Sequence, residues 1–230
     1  MRLACIDDVD LAAVGLAAQK LVIVPYHPEQ PAAMAAQLRT FVERGGKVMG
    51  FYNLPKSLGQ TLGMATGPYV RSSQIAEGVA GIVFKPGIVE GLPKAMRQDS
   101  GNFLEMAPTG HGAVRVGWWS GHTGQATRHC AAVVSGRGAW FGHVYLGQDA
   151  TNGPMVLLSL AGHLLPEIWR QAAAGGLARV TGGVSNGPYR ATLETLRQQC
   201  RDHPQALEAF TRSEQCYSAA ERLLGTGQCA

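Results

Sequence analysis

The chain has 230 residues, of which 46% are hydrophobic and 16% charged, and a formal net charge of +4. That length buries a full core in one domain, or in one domain with a small appendage. The arginines are scattered, with no basic block and no basic–aromatic interleaving, and no apolar run approaches the ~20 residues of a membrane helix; nucleic acid and membrane are therefore not expected partners.

Residues 7 to 18 read as a loop and short turn leading into Leu21-Val22-Ile23-Val24, a short apolar strand. Residues 32 to 44 follow as a helix, with Met34, Leu38, Phe41 and Val42 on one face. Gly45-Gly46 stops it, and residues 47 to 51 form a second apolar strand. The connection is too long for a hairpin and carries a helix able to cover a sheet, so the segment reads as a right-handed βαβ unit. Residues 57 to 64 continue as a helix. Short β-like pieces lie between 67 and 91, notably Ile82-Val83-Phe84. Leu92-Pro93 is expected to open a short helix through Arg97. A polar loop, Gln98 to Asn102, leads into an extended segment. Residues 113 to 119 alternate and form a strand. Residues 130 to 135 and 139 to 146 pair as a hairpin across Gly136-Arg137-Gly138. Residues 154 to 165 are an apolar helix ended by Pro166.

Three segments are expected: an α/β domain over 1–170, a Gly-rich linker over 171–188 and a helical appendage over 189–230, the last as two helices broken near Asp202-His203-Pro204. The appendage carries one apolar stripe of Leu193, Leu196 and Cys200, and another of Leu207, Phe210, Cys216, Tyr217 and Leu223/Leu224.

In open α/β sheets, chemistry gathers in the loop after a strand's carboxyl end. Here that loop is Tyr52-Asn53-Leu54-Pro55-Lys56, which holds no Cys, Ser or Asp to act as nucleophile. Tyr52 and Asn53 are candidate ligand contacts; the plain alternative is that Tyr52 packs on the next helix and Asn53 caps it. His111, His122, His129 and His143 are the supply of metal-ligating nitrogen, without HExxH or a helical pairing to an acid, so no metal is expected. Five scattered cysteines with no CxxC suggest reduced thiols. Ser57 and Ser100 are not in a G-x-S-x-G turn, and Gly182 to Gly187 lacks a phosphate-loop lysine, so no cofactor is expected. Asp7, Asp8 and Asp10 read as a helix N-cap beside solvated charge. Trp118 and Trp119 point to opposite faces of a strand. One is core; the other is a sugar-stacking platform, an interface anchor or plain packing, and Trp119 is taken as the candidate.

Leu21-Val-Ile-Val-Pro-Tyr, the helix ending Leu38-Arg-Thr-Phe-Val-Glu-Arg-Gly-Gly-Lys47, and Phe51-Tyr-Asn-Leu-Pro resemble class I glutamine amidotransferase-like domains. The variant they are most similar to is the inactive one that precedes a glycosyl-hydrolase-family-10-like barrel, itself similar to the trimerisation domain of some β-galactosidases. Leu92-Pro93 with Gln98-Asp99-Ser100, the stretch from Trp118 to Gly124, Gly138 to Leu146, and Leu165-Pro-Glu-Ile-Trp169 fit the same pattern. The resemblance covers roughly residues 7 to 170. It implies a flavodoxin-like/amidotransferase-like, mostly parallel sheet covered by helices and lacking its first strand and helix, with a C-terminal helical extension. Active members place a cysteine where this chain has Tyr52, and His-x-Glu where it has His143 and Tyr145. Tyr52, Asn53, His143 and Trp119 are thus the candidate ligand-binding residues, with none catalytic. The implied role is a non-catalytic accessory or assembly module of a carbohydrate-active bacterial protein, with a homo-oligomer, a downstream glycosyl-hydrolase-like barrel and carbohydrate as partners. A hydrolase with an unrecognised nucleophile and a small-ligand or sugar-binding module are the alternatives. A complete chain would be cytoplasmic; a piece of a longer precursor would be compatible with secretion.

Overall fold

The computed structural model describes residues 4–7, 10–26, 30–182, 197–198 and 204–226. It divides into two units, Arg2–Leu165 and Pro166–Ala230.

In the first unit, α1 (Leu11–Val14) precedes β1 (Leu21–Val24), α2 (Ala32–Glu43) and β2 (Lys47–Phe51). Residues 21 to 51 form the expected parallel βαβ unit, with Leu21 opposite Lys47 and Val24 opposite Gly50. Ala35, Leu38, Phe41 and Val42 make the buried stripe of α2. Gly45 then takes φ +98, a conformation that L side chains rarely adopt, and turns the chain into β2. α3 (Lys56–Leu62) follows, closed by Gly63. β3 (Met64–Arg71), β4 (Gly81–Phe84), β5 (Ala95–Arg97), β6 (Asn102–Pro108), β7 (Val114–Ser120), β8 (Ala126–Val134), β9 (Gly138–Phe141) and α4 (Asn152–Leu164) complete the unit.

Among the described residues the main sheet has seven strands in the order β1-β2-β9-β8-β7-β4-β5. β1, β2 and β9 are parallel; the other pairings are antiparallel. This is an α/β, flavodoxin-like/amidotransferase-like architecture with a mixed sheet flanked by helices, its parallel character concentrated at the β1 end. β3 and β6 form a separate antiparallel pair, with a register break between Thr66 and Tyr69.

Alternation along the strands builds two cores. Val48 and Trp140 face α2 and α3, in a cluster with Leu38, Phe41, Leu58 and Leu62. Met49, Phe51, Ala139 and Phe141 face the other way, in a cluster with Val156, Leu160 and Leu164 of α4. Full burial of each large apolar side chain contributes roughly 1.5–3 kcal/mol.

Some expectations are corrected. Residues 95 to 97 are strand, not helix. Met96 is buried between exposed Ala95 and Arg97 and pairs with Ile82, and three residues are too few to show a period. The late strand stops at Phe141 rather than at 146. Gly142 N–H still donates to Ala131 O of β8, but its carbonyl accepts from Leu104 N–H of β6, and the ladder ends before His143. The expected linker is helical through Gly182: α5 spans Glu167–Gly182. Its three consecutive alanines favour helix, and Gly175 and Gly176 cost only about 1 kcal/mol each against Ala. Residues 183–188 lie outside the described residues.

In the second unit, α6 (Pro204–Thr226) starts at Pro204, where a missing N–H costs nothing, and packs against α5. Tyr217, Glu221 and Leu224 form its partly covered stripe, while Cys216 and Leu223 are exposed. Of the helix expected before residue 202, only 197–198 fall among the described residues, and these are helical.

Candidate functional site

Three adjacent parallel strands deliver their carboxyl ends to one edge of the sheet. Tyr26 lies two residues beyond β1, Tyr52 directly follows β2, and His143 lies two residues beyond β9. Tyr52 has φ +68, a left-handed conformation costing a residue with a Cβ roughly 1–2 kcal/mol. Two residues of β9 hold it there. Tyr52 N–H donates to Phe141 O at 2.8 Å, and Trp140 Nε1–H donates to Tyr52 O at 3.1 Å. The Trp140 ring itself fits because Gly50, opposite it in the register, has no side chain. A sharp turn between a strand and the helix α3 is therefore built into the backbone, and it carries a phenol. Partial burial, with the nearby phenols of Tyr69 and Tyr26, raises the Tyr52 pKa further above its ordinary value of 10.0. At neutral pH it holds its proton and is a poor nucleophile.

His143 is buried and fixed at both nitrogens. Nδ1 lies 2.9 Å from Val144 O and Nε2 lies 2.8 Å from Ser100 Oγ. A carbonyl only accepts, so Nδ1 carries the proton and Nε2 is the acceptor. Gln98, also buried, donates from Nε2 to the same Val144 O at 3.1 Å and fixes that peptide. Burial lowers the His143 pKa, outweighing the Val144 contact that raises it, so the ring is neutral at pH 7. Its orienting partner is a backbone carbonyl, not a carboxylate. Its ring meets Tyr52 edge-on at 6.3 Å and Trp119 edge-on at 5.9 Å.

Of the candidates read from sequence, Tyr52, Asn53 and His143 gather at this edge. Asn53 O accepts from Gln30 Nε2 at 3.0 Å. Trp119 is wholly buried and stacked on Phe103 at 4.7 Å, so it is a wall behind His143 and not an exposed platform; Trp118 is its partly exposed neighbour. His129 is spent on Glu105, at 3.2 Å. Among the described residues no group of three His, Cys, Asp or Glu side chains is placed to hold a metal. Cys130 is buried, and burial foremost pushes its thiol up to about 11. Asp10 stands at the N-cap of α1 without a side-chain capping bond.

Sequence reasoning missed Tyr26, Tyr69 and Ser100 as members of this edge. The strand-end rule that singled out Tyr52 applies equally to Tyr26. Tyr69 carries no such signal, because the irregularity in β3 that positions it is a feature of pairing. A cavity of about 430 Å³ lined by Leu16, Gln19, Gln37, Thr40 and Arg44 lies at the other end of β2. It abuts the carboxyl end of α2, whose dipole disfavours anions.

No family model matches the chain, and none of the curated proteins matches it. Similar solved structures include a β-galactosidase from Rahnella sp. R3 (15% identity, TM-score 0.49, 65% of this chain and 22% of that one). An α-L-fucosidase isoenzyme 2 from Paenibacillus thiaminolyticus is similar at 15% identity and TM-score 0.46, over 66% of this chain and 26% of that one. A glutamine amidotransferase from Thermotoga maritima has 14% identity and TM-score 0.36, over 89% of this chain and 76% of that one. The chain thus spans about a quarter of the length of the two glycosidases. These likenesses concern the fold alone.

Proposed function

We propose that the chain is a non-catalytic accessory or assembly module of a carbohydrate-active protein. The observation that carries this reading is Tyr52. The strained strand-to-helix turn is kept at φ +68, yet the side chain on it is a phenol with a raised pKa beside a neutral histidine. The motif resemblance to inactive amidotransferase-like domains supplies the carbohydrate-active setting. The outer edge of β1 supports the assembly role: it ends the sheet, and Leu21-Val22-Ile23-Val24 holds no charge, proline or bulge of the kind that blunts an edge.

The test is ammonia release from glutamine by the full chain. The expected result is none above a no-protein blank. Release abolished by Tyr52→Phe or His143→Ala would overturn the reading.

One contact favours a second reading, a hydrolase using Ser100. Ser100 Oγ–H faces His143 Nε2 at 2.8 Å, the relation of a nucleophile to its base. The hydroxyl has one proton, for which Asn102 O at 2.6 Å competes with His143 Nε2, and its oxygen accepts from Asn102 N–H at 3.3 Å. These bonds fold the Ser100 loop on itself, and Ser100 is only 5% exposed. Structural use of the hydroxyl is the stronger account.

A further inference from the structure

Three tyrosines from three different elements converge on the edge where β1, β2 and β9 end. Tyr26 and Tyr52 have ring centroids 5.9 Å apart and tilted by 47°. Tyr69 approaches from the separate two-stranded sheet. It pairs with Leu104, whose N–H donates to Gly142 O beside His143 at 2.8 Å. The phenols of Tyr69 and Tyr26 are near enough to Tyr52 to act on its ionisation. Tyr26 is 52% exposed and Tyr69 51%, whereas most other aromatic rings of this unit are buried. Convergent exposed aromatics mark a binding surface more than scattered ones do. Beside them, Gln30 Oε1 is buried with no hydrogen-bond donor, although Gln30 Nε2 is used on Asn53 O.

We propose that Tyr26, Tyr52 and Tyr69 form a stacking surface for the apolar face of a neutral hexopyranose ring, with the Gln30 amide as a polar contact. Flat amphipathic tyrosines offer contact area at small entropic cost and a hydroxyl at the rim. The polar groups tied to this edge, Gln30, Asn53, Ser100 and neutral His143, carry no charge at pH 7 and suit a neutral ligand; Lys56, at the start of α3, is the exposed charge of the Tyr52 loop. A saccharide supplies the hydroxyl donors that the Gln30 acceptor lacks. The inference rests on the reading of the chain as a non-catalytic module of a carbohydrate-active protein.

The full chain is titrated with lactose, with cellobiose and, separately, with tetramethylammonium, while its tyrosine ring resonances are followed by NMR. One of the disaccharides is expected to shift the resonances of these tyrosines saturably. Tyr26→Ala and Tyr69→Ala are each expected to weaken it about tenfold, the scale of one ring-stacking contact. Both side chains are half-exposed, so their loss leaves the core intact, and Tyr69→Phe, which keeps the ring, is expected to retain binding. Lack of a saturable shift with either sugar, equal binding by both alanine variants, or tetramethylammonium binding in the sugars' place would overturn the stacking surface. Tyrosine-dependent cleavage of the bound disaccharide would support the surface and overturn the non-catalytic reading. Glutamine turnover without sugar binding would overturn both.

Discussion

At the residue scale the turn at Tyr52 is the informative feature, because a left-handed tyrosine is costly and here is over-determined by its surroundings. Glycine at that position relieves the strain and alanine does not. Tyr52→Gly is therefore expected to be more stable than Tyr52→Ala by about 1 kcal/mol in urea unfolding, the left-handed penalty of a Cβ. Equal stabilities would mean that the turn is relaxed. Cys130 makes a second case. Its pKa of about 11 in the fold, against 9.0 for a free thiol, means that folding favours the protonated form. That contribution is fully present below pH 9 and is lost as pH rises through 11. At about 1.4 kcal/mol per unit it amounts to a few kcal/mol. Unfolding followed from pH 8 to pH 11 is expected to show a loss of stability that Cys130→Ser lacks, and Cys130 of the folded chain is expected to react only slowly with iodoacetamide at pH 7. His143 has the opposite dependence. Its lowered pKa stabilises the fold above pH 6.5, and that contribution is lost as pH falls through the folded value.

At the element scale, legibility followed length and period. The βαβ unit from Leu21 to Phe51 could be read because α2 repeats its apolar face over three turns and Gly45-Gly46 punctuates its end. β5 could not, since three residues show no period and its place is set by pairing with β4. α5 was obscured by its glycines, whose cost the neighbouring alanines offset. The candidate site was half legible. Tyr52 and His143 follow strand ends that the sequence marks, while Ser100 and Tyr69 arrive by loop and sheet contacts that have no local signature. The outer edge of β1 yields a prediction at this scale. Ile23 is 45% exposed in the terminal strand of the sheet. Sedimentation velocity is expected to show self-association of the full chain, reduced by Ile23→Lys, which costs the fold within about 0.5 kcal/mol as a surface change. A chain that sediments as a monomer at every concentration would remove the β1 edge from the assembly role.

At the scale of the whole molecule, the groups gathered at the strand ends are accounted for by the structure around them. The strand ends, the sharp turn and the buried histidine are in place, and each has a structural employment. Trp140 holds the turn, Val144 and Ser100 hold the histidine, and Tyr26 and Tyr69 remain exposed. The most direct measurement is intact-mass analysis of the full chain after exposure to a glutamine-directed diazoketone and, separately, to a fluorophosphonate. Each reagent reports an activated nucleophile by leaving a covalent adduct. An unchanged mass is expected with both. A stoichiometric adduct mapped to Tyr52 or Ser100, lost in His143→Ala, would contradict it.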